Sequence, residues 1–417
     1  MTPHPALFTL VPLLGLSAIS LAQVRYSFTD LGDLQGGLDQ SFAAGVSNTG
    51  FVTGASSYAT DGSVQRFHAF RWSESTGMVE LSTILNRTRT GNFYSAGEAV
   101  NDAGVVVGQA TGAYDEAFRC PPDTNLPLSL GPGRFGANNG FAKAVNSTGM
   151  AVGFINSSSG RNAFRWTAST GIVYMNGVDT TQSLAYALNE SGQAAGFYPV
   201  SGNGALAVRW DANNTPVSLG RLLPGGSIVN SIAYGMNDAG WVVGQSLVAE
   251  DFIRAFQWTP ESGMINLGIV PGTTHSTIAL DINNNNWAVG TASFGALGER
   301  GVLWFGINDA HDLNTMIDAS GAGWIIRSAT GINDLNEIAA NAQRISDGVT
   351  HAVLLRPLPP CIVDFNHDGS VNPDDLADYI GCYFTIPSCS AADFNGDGTV
   401  DPDDLADYVT EYFSSGC

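Results

Sequence analysis

The stretch AVNDAGVVVG, from Ala99 to Gly108, returns 45 residues later as AVNSTGMAVG, from Ala144 to Gly153. ALNESGQAAG (Ala187 to Gly196), GMNDAGWVVG (Gly235 to Gly244) and DINNNNWAVG (Asp281 to Gly290) continue the series, flanked by the weaker copies GVSNTGFVTG (Gly45 to Gly54) and GINDLNEIAA (Gly331 to Ala340). The equivalent positions Ser47, Asn101, Asn146, Asn189, Asn237, Asn283 and Asn333 are 54, 45, 43, 48, 46 and 50 residues apart. Asparagine starts a tight turn and glycine takes the positive φ that lets the chain double back, so each copy reads as a hairpin between two apolar strands. Further along each unit lies a second block, in its clearest form HAFRW (His68 to Trp72), and then a short run like GMINLG (Gly263 to Gly268).

Four short apolar runs per unit at this period form the pattern of a β-propeller blade, and seven copies predict seven blades. The two ends check the count. The last unit stops at HAVLLRPL (His351 to Leu358) with three runs, while RYSFTDLGDL (Arg25 to Leu34) supplies a fourth with no three before it. Tyr26 to Leu31 is therefore expected as the outermost strand of blade seven, closing the ring without an open sheet edge. The fold class expected is mainly β, a seven-bladed propeller closed by the N-terminal strand and followed by a small all-α module.

The repeated residues read as structure. Phe70, Phe118, Phe164 and Phe256, with Trp72, Trp166, Trp210, Trp258 and Trp304, recur once per blade at fixed phase, as packing between blades requires. The asparagines read as turn residues bonding local backbone. Cys120 stands in a tryptophan slot and reads as a buried free thiol; His68 and His351, at equivalent positions, read as blade-edge residues. A catalytic centre would instead need non-repeating polar residues converging on one face. Asp39, Arg134, Arg221, His275 and Arg327 are the candidates for the mouth of the ring, and Tyr94, Phe135 and Trp324 for stacking surfaces. No pair of carboxylates stands out, and no catalytic residue is assigned. From Tyr26 to Arg356 the chain resembles the HAF-repeat extracellular proteins, named for the triplet seen at His68-Ala69-Phe70; the resemblance implies secretion and repeats, with no shared activity.

Composition sets the remaining bounds. The net charge of -21, with only 17 basic residues in 417, excludes a nucleic-acid partner, which needs clustered Lys and Arg. From Cys361 to Cys417 there are 12 acidic residues and no Lys or Arg, which marks a separate domain. Residues 1–22 are apolar from Leu7 to Leu21 and end in Ser20-Leu21-Ala22, the pattern of a signal peptide. Export agrees with the cysteines, four of the five being Cys361, Cys382, Cys389 and Cys417. The domains expected are a signal peptide at 1–22, the propeller at 23–356, a proline-rich linker at 357–360 and a calcium-binding module at 361–417.

That module states itself twice. DFNHDGSVNPDD (Asp364 to Asp375) and DFNGDGTVDPDD (Asp393 to Asp404) each place oxygen ligands at EF-hand loop positions, with the required glycine at Gly369 and Gly398. The ligands expected for two Ca²⁺ ions are Asp364, Asn366, Asp368, Ser370, Asn372 and Asp375, then Asp393, Asn395, Asp397, Thr399, Asp401 and Asp404, with Ser370 and Thr399 acting through their carbonyls. Each loop feeds a helix opened by Pro373 or Pro402. The apolar stripes Leu376, Tyr379, Ile380, Tyr383 and Leu405, Tyr408, Val409, Tyr412 are expected to pack on each other. Four cysteines allow three connectivities; the favoured one joins Cys361 to Cys417 and Cys382 to Cys389. A duplicated loop-helix unit with Asp in the last ligand position resembles a dockerin, and the Gly416-Cys417 ending resembles its GC-type variant. The resemblance implies two calcium ions and a cohesin domain as partner, often within polysaccharide-degrading assemblies. The function expected is a secreted, calcium-dependent anchored binding or scaffold protein. The alternatives are a glycoside hydrolase or lyase of such an assembly and a lectin-like, glycan-binding propeller.

Overall fold

The computed structural model describes residues 24–60, 65–81, 94–111, 115–131, 140–157, 160–177, 182–200, 204–223, 230–249, 252–273, 276–358, 363–365, 371–385, 389–396 and 398–414. The signal-peptide reading of 1–22 lies outside them. The chain divides into two compact units, one of which is Tyr26–Pro357 and the other of which holds Leu358–Cys417. Among the described residues no helix is long and apolar enough to cross a membrane.

Tyr26–Pro357 is a seven-bladed β-propeller, each blade a four-stranded antiparallel sheet. In blade one the strands are Ser41–Val46, Val52–Thr60, Gln65–Ser73 and Gly77–Glu80, numbered here first to fourth from the central channel outward. Blade seven takes its first three strands from Trp324–Ile332, Ile338–Arg344 and Thr350–Pro357, and its fourth from Tyr26–Asp30 at the other end of the chain. The closing strand runs antiparallel with Tyr26 opposite Pro357 and Asp30 opposite Val353.

The repeated aromatics pack as their phase predicts. Phe70, Phe118, Phe164, Phe256, Trp210 and Trp304 are fully buried, Trp72 and Trp258 nearly so, and Trp166 is half-buried. Burying such a side chain contributes about 2–3 kcal/mol, and one or two per blade stabilise the joint to the next. The last glycine of each hairpin motif has a steric cause. A Cβ at Gly54, Gly153, Gly196 or Gly290 would lie 1.9 Å from a carbonyl oxygen of the first strand. In blade seven that glycine is Ala340, and there the first strand shows an additional register shift, between Ile326 and Ser328.

The second unit holds helix α1 (Pro373–Tyr383) and helix α2 (Pro402–Ser414). Its core is Val363, Tyr379, Ala392 and Tyr408, all fully buried. Tyr379 and Tyr408 stack at 3.7 Å between centroids and 2° between planes. The Tyr379 hydroxyl donates to the Ala392 carbonyl at 3.0 Å, and the Tyr408 hydroxyl to that of Val363 at 2.9 Å. Both helices open on a reciprocal cap. Asn372 accepts from the Asp374 amide while Asp375 accepts from Asn372, and Asp401 and Asp404 repeat this with the Asp403 amide. One expectation fails: Ile380 is exposed rather than part of the buried stripe, because α1 turns it away from the tyrosine stack. Cys382 and Cys389 form a disulfide. Cys361 and Cys417 lie outside the described residues.

Candidate functional site

The first strands line the central channel, and every one of them carries a β-bulge three residues before its turn. The bulged residues are Ala44, Glu98, Lys143, Tyr186, Tyr234, Leu280 and Thr330. A bulge leaves one residue outside the ladder and re-aims its side chain. The backbone repeats seven times here while the side chains vary, only tyrosine occurring twice, so this position supplies the non-repeating chemistry that sequence reading sought in the loops.

These residues wall a mid-channel chamber of about 260 Å³. Lys143 Nζ lies 2.8 Å from Glu98 Oε1, a pair largely shielded from solvent. Tyr186 and Tyr234 meet edge to face at 5.6 Å. Burial pushes the Tyr234 phenol up to about 12 and raises that of Tyr186, so both hydroxyls stay protonated at neutral pH. Behind Tyr186 stand Phe154 at 6.3 Å and Phe197 at 5.9 Å, and Phe141 stacks on Phe154. Asp281, next to the bulge in blade six, also faces the chamber. Its carboxylate accepts from the Ile282 amide at 2.9 Å and the Ile332 amide at 3.0 Å. Burial outweighs these bonds and pushes its carboxyl up to about 7.

Towards the hairpin turns lies a second chamber of about 540 Å³, which shares Val46, Leu188, Met236 and Asp281 with the first. Its wall is the asparagine ring. In each turn Asn Oδ1 accepts from its own hairpin, as Asn101 does from the Ala103 and Val105 amides. Nδ2 reaches the next blade. Asn101 donates to the Asn146 carbonyl, Asn146 to Asn189, Asn189 to Asn237, Asn237 to Asn283, Asn283 to Asn333 and Asn333 to Ser47, all at 2.9–3.3 Å. Reading these residues as local turn formers missed half their role. The signal was their being Asn in all six copies and never Asp, since aspartate has no N–H to donate. One residue on, Asp102, Glu190, Asp238 and Asp334 line the rim and accept from backbone amides of the neighbouring blade.

The loop candidates are otherwise engaged. Asp39 bonds Arg344 and His351, each at 2.5 Å. Arg327 bonds Gln343 and the carbonyls of Leu297 and Glu299. Arg221 is half-buried and does not line either chamber. Arg134, His275 and Phe135 lie outside the described residues. Tyr94 is exposed, and Trp324 borders a separate pocket with Phe28 and Arg300. His351 holds blade seven together, with Nδ1 2.8 Å from Asp30 on the closing strand and Nε2 on Asp39. Burial opposes the imidazolium, but the bonds and charges of Asp30 and then Asp39 prevail and raise its pKa. His68 pairs with Glu80 at 2.6 Å. Cys120 is a buried free thiol, pushed up to about 11 by burial, which removes the thiolate a nucleophile needs.

In the second unit, Asp375 and Asp404 are fully buried and Asp364 nearly so. Amides of Asp401, Asn395 and Phe394 hold the Asp404 carboxyl below the usual carboxylate range. Asp393 accepts from the Gly398 amide at 2.9 Å through Oδ2, whereas its Oδ1 is buried with no partner among the described residues. Asn372 and Asp401 serve as helix caps, and the Thr399 hydroxyl lies 3.4 Å from Asp401. Asn366, Asp368, Ser370 and Asp397 lie outside the described residues. Among the described residues no three His, Cys, Asp or Glu side chains gather as a metal site.

No protein-family model matches this chain, and no curated protein does. Solved structures of similar shape include an oligogalacturonate lyase in complex with manganese, 12% identical over 81% of this chain and 96% of that one, with a TM-score of 0.48. A puromycin hydrolase is 14% identical over 78% of this chain, with a TM-score of 0.41, and this chain spans about half its length (52%). AofleA from Arthrobotrys oligospora is 9% identical over 79% of this chain and 86% of that one, with a TM-score of 0.36. At such identities and scores the likeness assigns no activity here; the seven-bladed architecture stands on its own strand order.

Proposed function

We propose that this chain is an exported, anchored binding protein, in which the propeller presents a ligand site and the C-terminal loop-helix pair, ordered by two calcium ions, tethers it to a cohesin-like partner or cell-surface assembly. The observation that carries the calcium reading is the orphaned Asp393 Oδ1. A buried carboxylate oxygen without a donor costs a large desolvation penalty, and a hard cation removes it. The donor set fits, since Asp393, Asn395 and Asp404 offer oxygens from one short loop, and Asp364 and Asp375 stand in the same places of the first copy. The ion supplies charge neutralisation and loop order. The stacked tyrosines and the reciprocal caps repeat in both copies, which supports reading the two halves as equivalent.

The test is calorimetric titration of Ca²⁺ into the full chain, with helix content followed by circular dichroism. Two sites are expected, and one fewer in Asp393→Asn. Absence of binding, or two unchanged sites in that variant, would remove the calcium reading and the tether with it.

A further inference from the structure

Six of the seven residues that follow the bulge are Gly45, Ala99, Ala144, Ala187, Gly235 and Gly331, and the seventh is Asp281. Packing explains the six. The first strands crowd the channel so closely that a Cβ at Gly235 would lie 2.7 Å from the Asp281 Cα, and one at Gly331 3.1 Å from the Gly45 Cα. The ring thus asks for a small residue at this place, and blade six puts a carboxylate there, facing the chamber, at the cost of desolvating it. Its bonds to the Ile282 and Ile332 amides use one lone pair of each oxygen, and the other blades close the ring without a carboxylate at this place.

We propose that the mid-channel chamber binds a small organic ammonium ion, held by the Asp281 carboxylate and by the rings of Tyr186 and Tyr234. Three features of the chamber select this class. The first is charge. Glu98 and Lys143 neutralise each other, which leaves Asp281 as the uncompensated group, with Asp334 beyond it adding to the negative field. The second is surface. Two half-buried phenol rings line the chamber and give a cation an aromatic wall to pack against, and neither hydroxyl has a hydrogen-bond partner among the described residues. The third is coordination. A hard metal ion takes six to eight oxygens, whereas one carboxylate whose two oxygens each already accept an amide keeps about one lone pair on each, enough for an N–H donor. At about 260 Å³ the chamber lies below the ~300 Å³ at which drug-sized sites begin, so the guest is small.

The inference rests on the ring being the ligand-binding part of the molecule and is independent of the calcium module, because Asp281 and Asp393 belong to different units. It also sets a pH dependence. The ionisable groups facing the chamber are Glu98, Lys143, Tyr186, Tyr234 and Asp281; the tyrosines stay neutral, and Asp281 is the one pushed close to neutrality, to about 7. Affinity is full above that value and falls as the carboxyl takes up its proton below it.

Putrescine and methylammonium, with glucose as a neutral control, would be titrated into the full chain at pH 8 and pH 5.5. Saturable binding of an amine at millimolar concentration or below is expected, weakened at least tenfold in Asp281→Asn and at pH 5.5, and weakened several-fold in Tyr186→Leu. Asp281→Ala carries the residue type of the other blades, gives up the bonds to the Ile282 and Ile332 amides that Asp281→Asn can keep in part, and provides a second variant with the same expected loss. No amine binding, or an affinity in both Asp281 variants unchanged from that of the native chain, overturns the proposal. Glucose binding that ignores both variants overturns it in favour of a glycan site. Calcium binding retained in Asp281→Asn and amine binding retained in Asp393→Asn would show the two readings to stand or fall separately.

Discussion

In the ring, the repeated polar residue passes a hydrogen bond forward, each asparagine donating to the next blade; in the C-terminal unit, the repeated tyrosine passes one across and receives one back. The first contact is heterologous. It closes only when the rotation between copies adds up to a full circle, and here that takes seven blades. The second is isologous and closes at two. Sequence duplication thus produced a many-membered ring from a donor and acceptor placed on opposite sides of the repeat, and a symmetric pair from a donor and acceptor placed on one side. Loss of one link follows opposite rules in the two cases, since a ring shares the damage among neighbours and a pair has none to share it with.

The comparison breaks most visibly at Tyr379. Tyr379→Ala removes half of the stacked pair and one of the two reciprocal bonds, and a buried aromatic truncated to alanine costs about 3–5 kcal/mol. In so small a unit that is enough to unfold it. The expected outcome is loss of the helical circular-dichroism signal with the propeller's tryptophan-monitored unfolding transition unchanged; a single shared transition that shifts as a whole would refute the independence of the two units.

Asn237→Asp sharpens the ring side of the contrast. The carboxylate can still accept from its own hairpin but can no longer donate to the Asn283 carbonyl, which leaves a buried acceptor facing a negative charge. The cost is about 1–3 kcal/mol, read as a lower midpoint in denaturant with a single cooperative transition retained. Asn237→Ser, the residue blade one carries at Ser47, is expected to lie between the two.

The smallest effect is the pH response of the closing strand. The His351 pKa is raised in the folded state, so its bonds to Asp30 and Asp39 contribute fully below the ordinary imidazole value, near 6.5, and that contribution is lost as pH rises through the raised value. Thermal unfolding of the ring is expected to move to lower temperature between pH 6 and pH 8 in the native chain. His351→Gln, which cannot charge, is expected to flatten that slope.

The ring was legible because its demands are periodic. Phe70, Trp72, Gly54 and their counterparts recur at fixed phase, and the missing fourth strand of blade seven could be matched to Tyr26–Asp30 by counting alone. The residues that give the channel its character were not legible, for physical reasons. A bulge leaves no mark in hydrophobic periodicity, so Glu98, Lys143, Tyr186 and Tyr234 look like ordinary strand residues until the register is seen to slip. The Glu98–Lys143 pair and the bracket of Asp30 and Asp39 around His351 join residues far apart in sequence, where spacing carries no signal. Asp281 was the exception that alignment of the repeats could have caught, as the one charged residue in a column of Gly and Ala. In the C-terminal unit the duplicated spacing predicted both helices, and the Cys382–Cys389 link was the favoured pairing, but neither the reciprocal caps nor the two hydroxyl-to-carbonyl bonds between the copies were read from the sequence.

The closing strand also has a consequence for how the chain is made. Tyr26 pairs with Pro357, so the first strand to be synthesised waits for one of the last before it has a partner. At about 5–20 residues per second, the delay is roughly a quarter of a minute to a minute. Throughout that time its backbone donors and acceptors form an open edge on a nascent chain, the kind of template that recruits stray strands. Its five residues, ending in Asp30, are few and charged enough to keep that edge quiet until blade seven arrives to claim it.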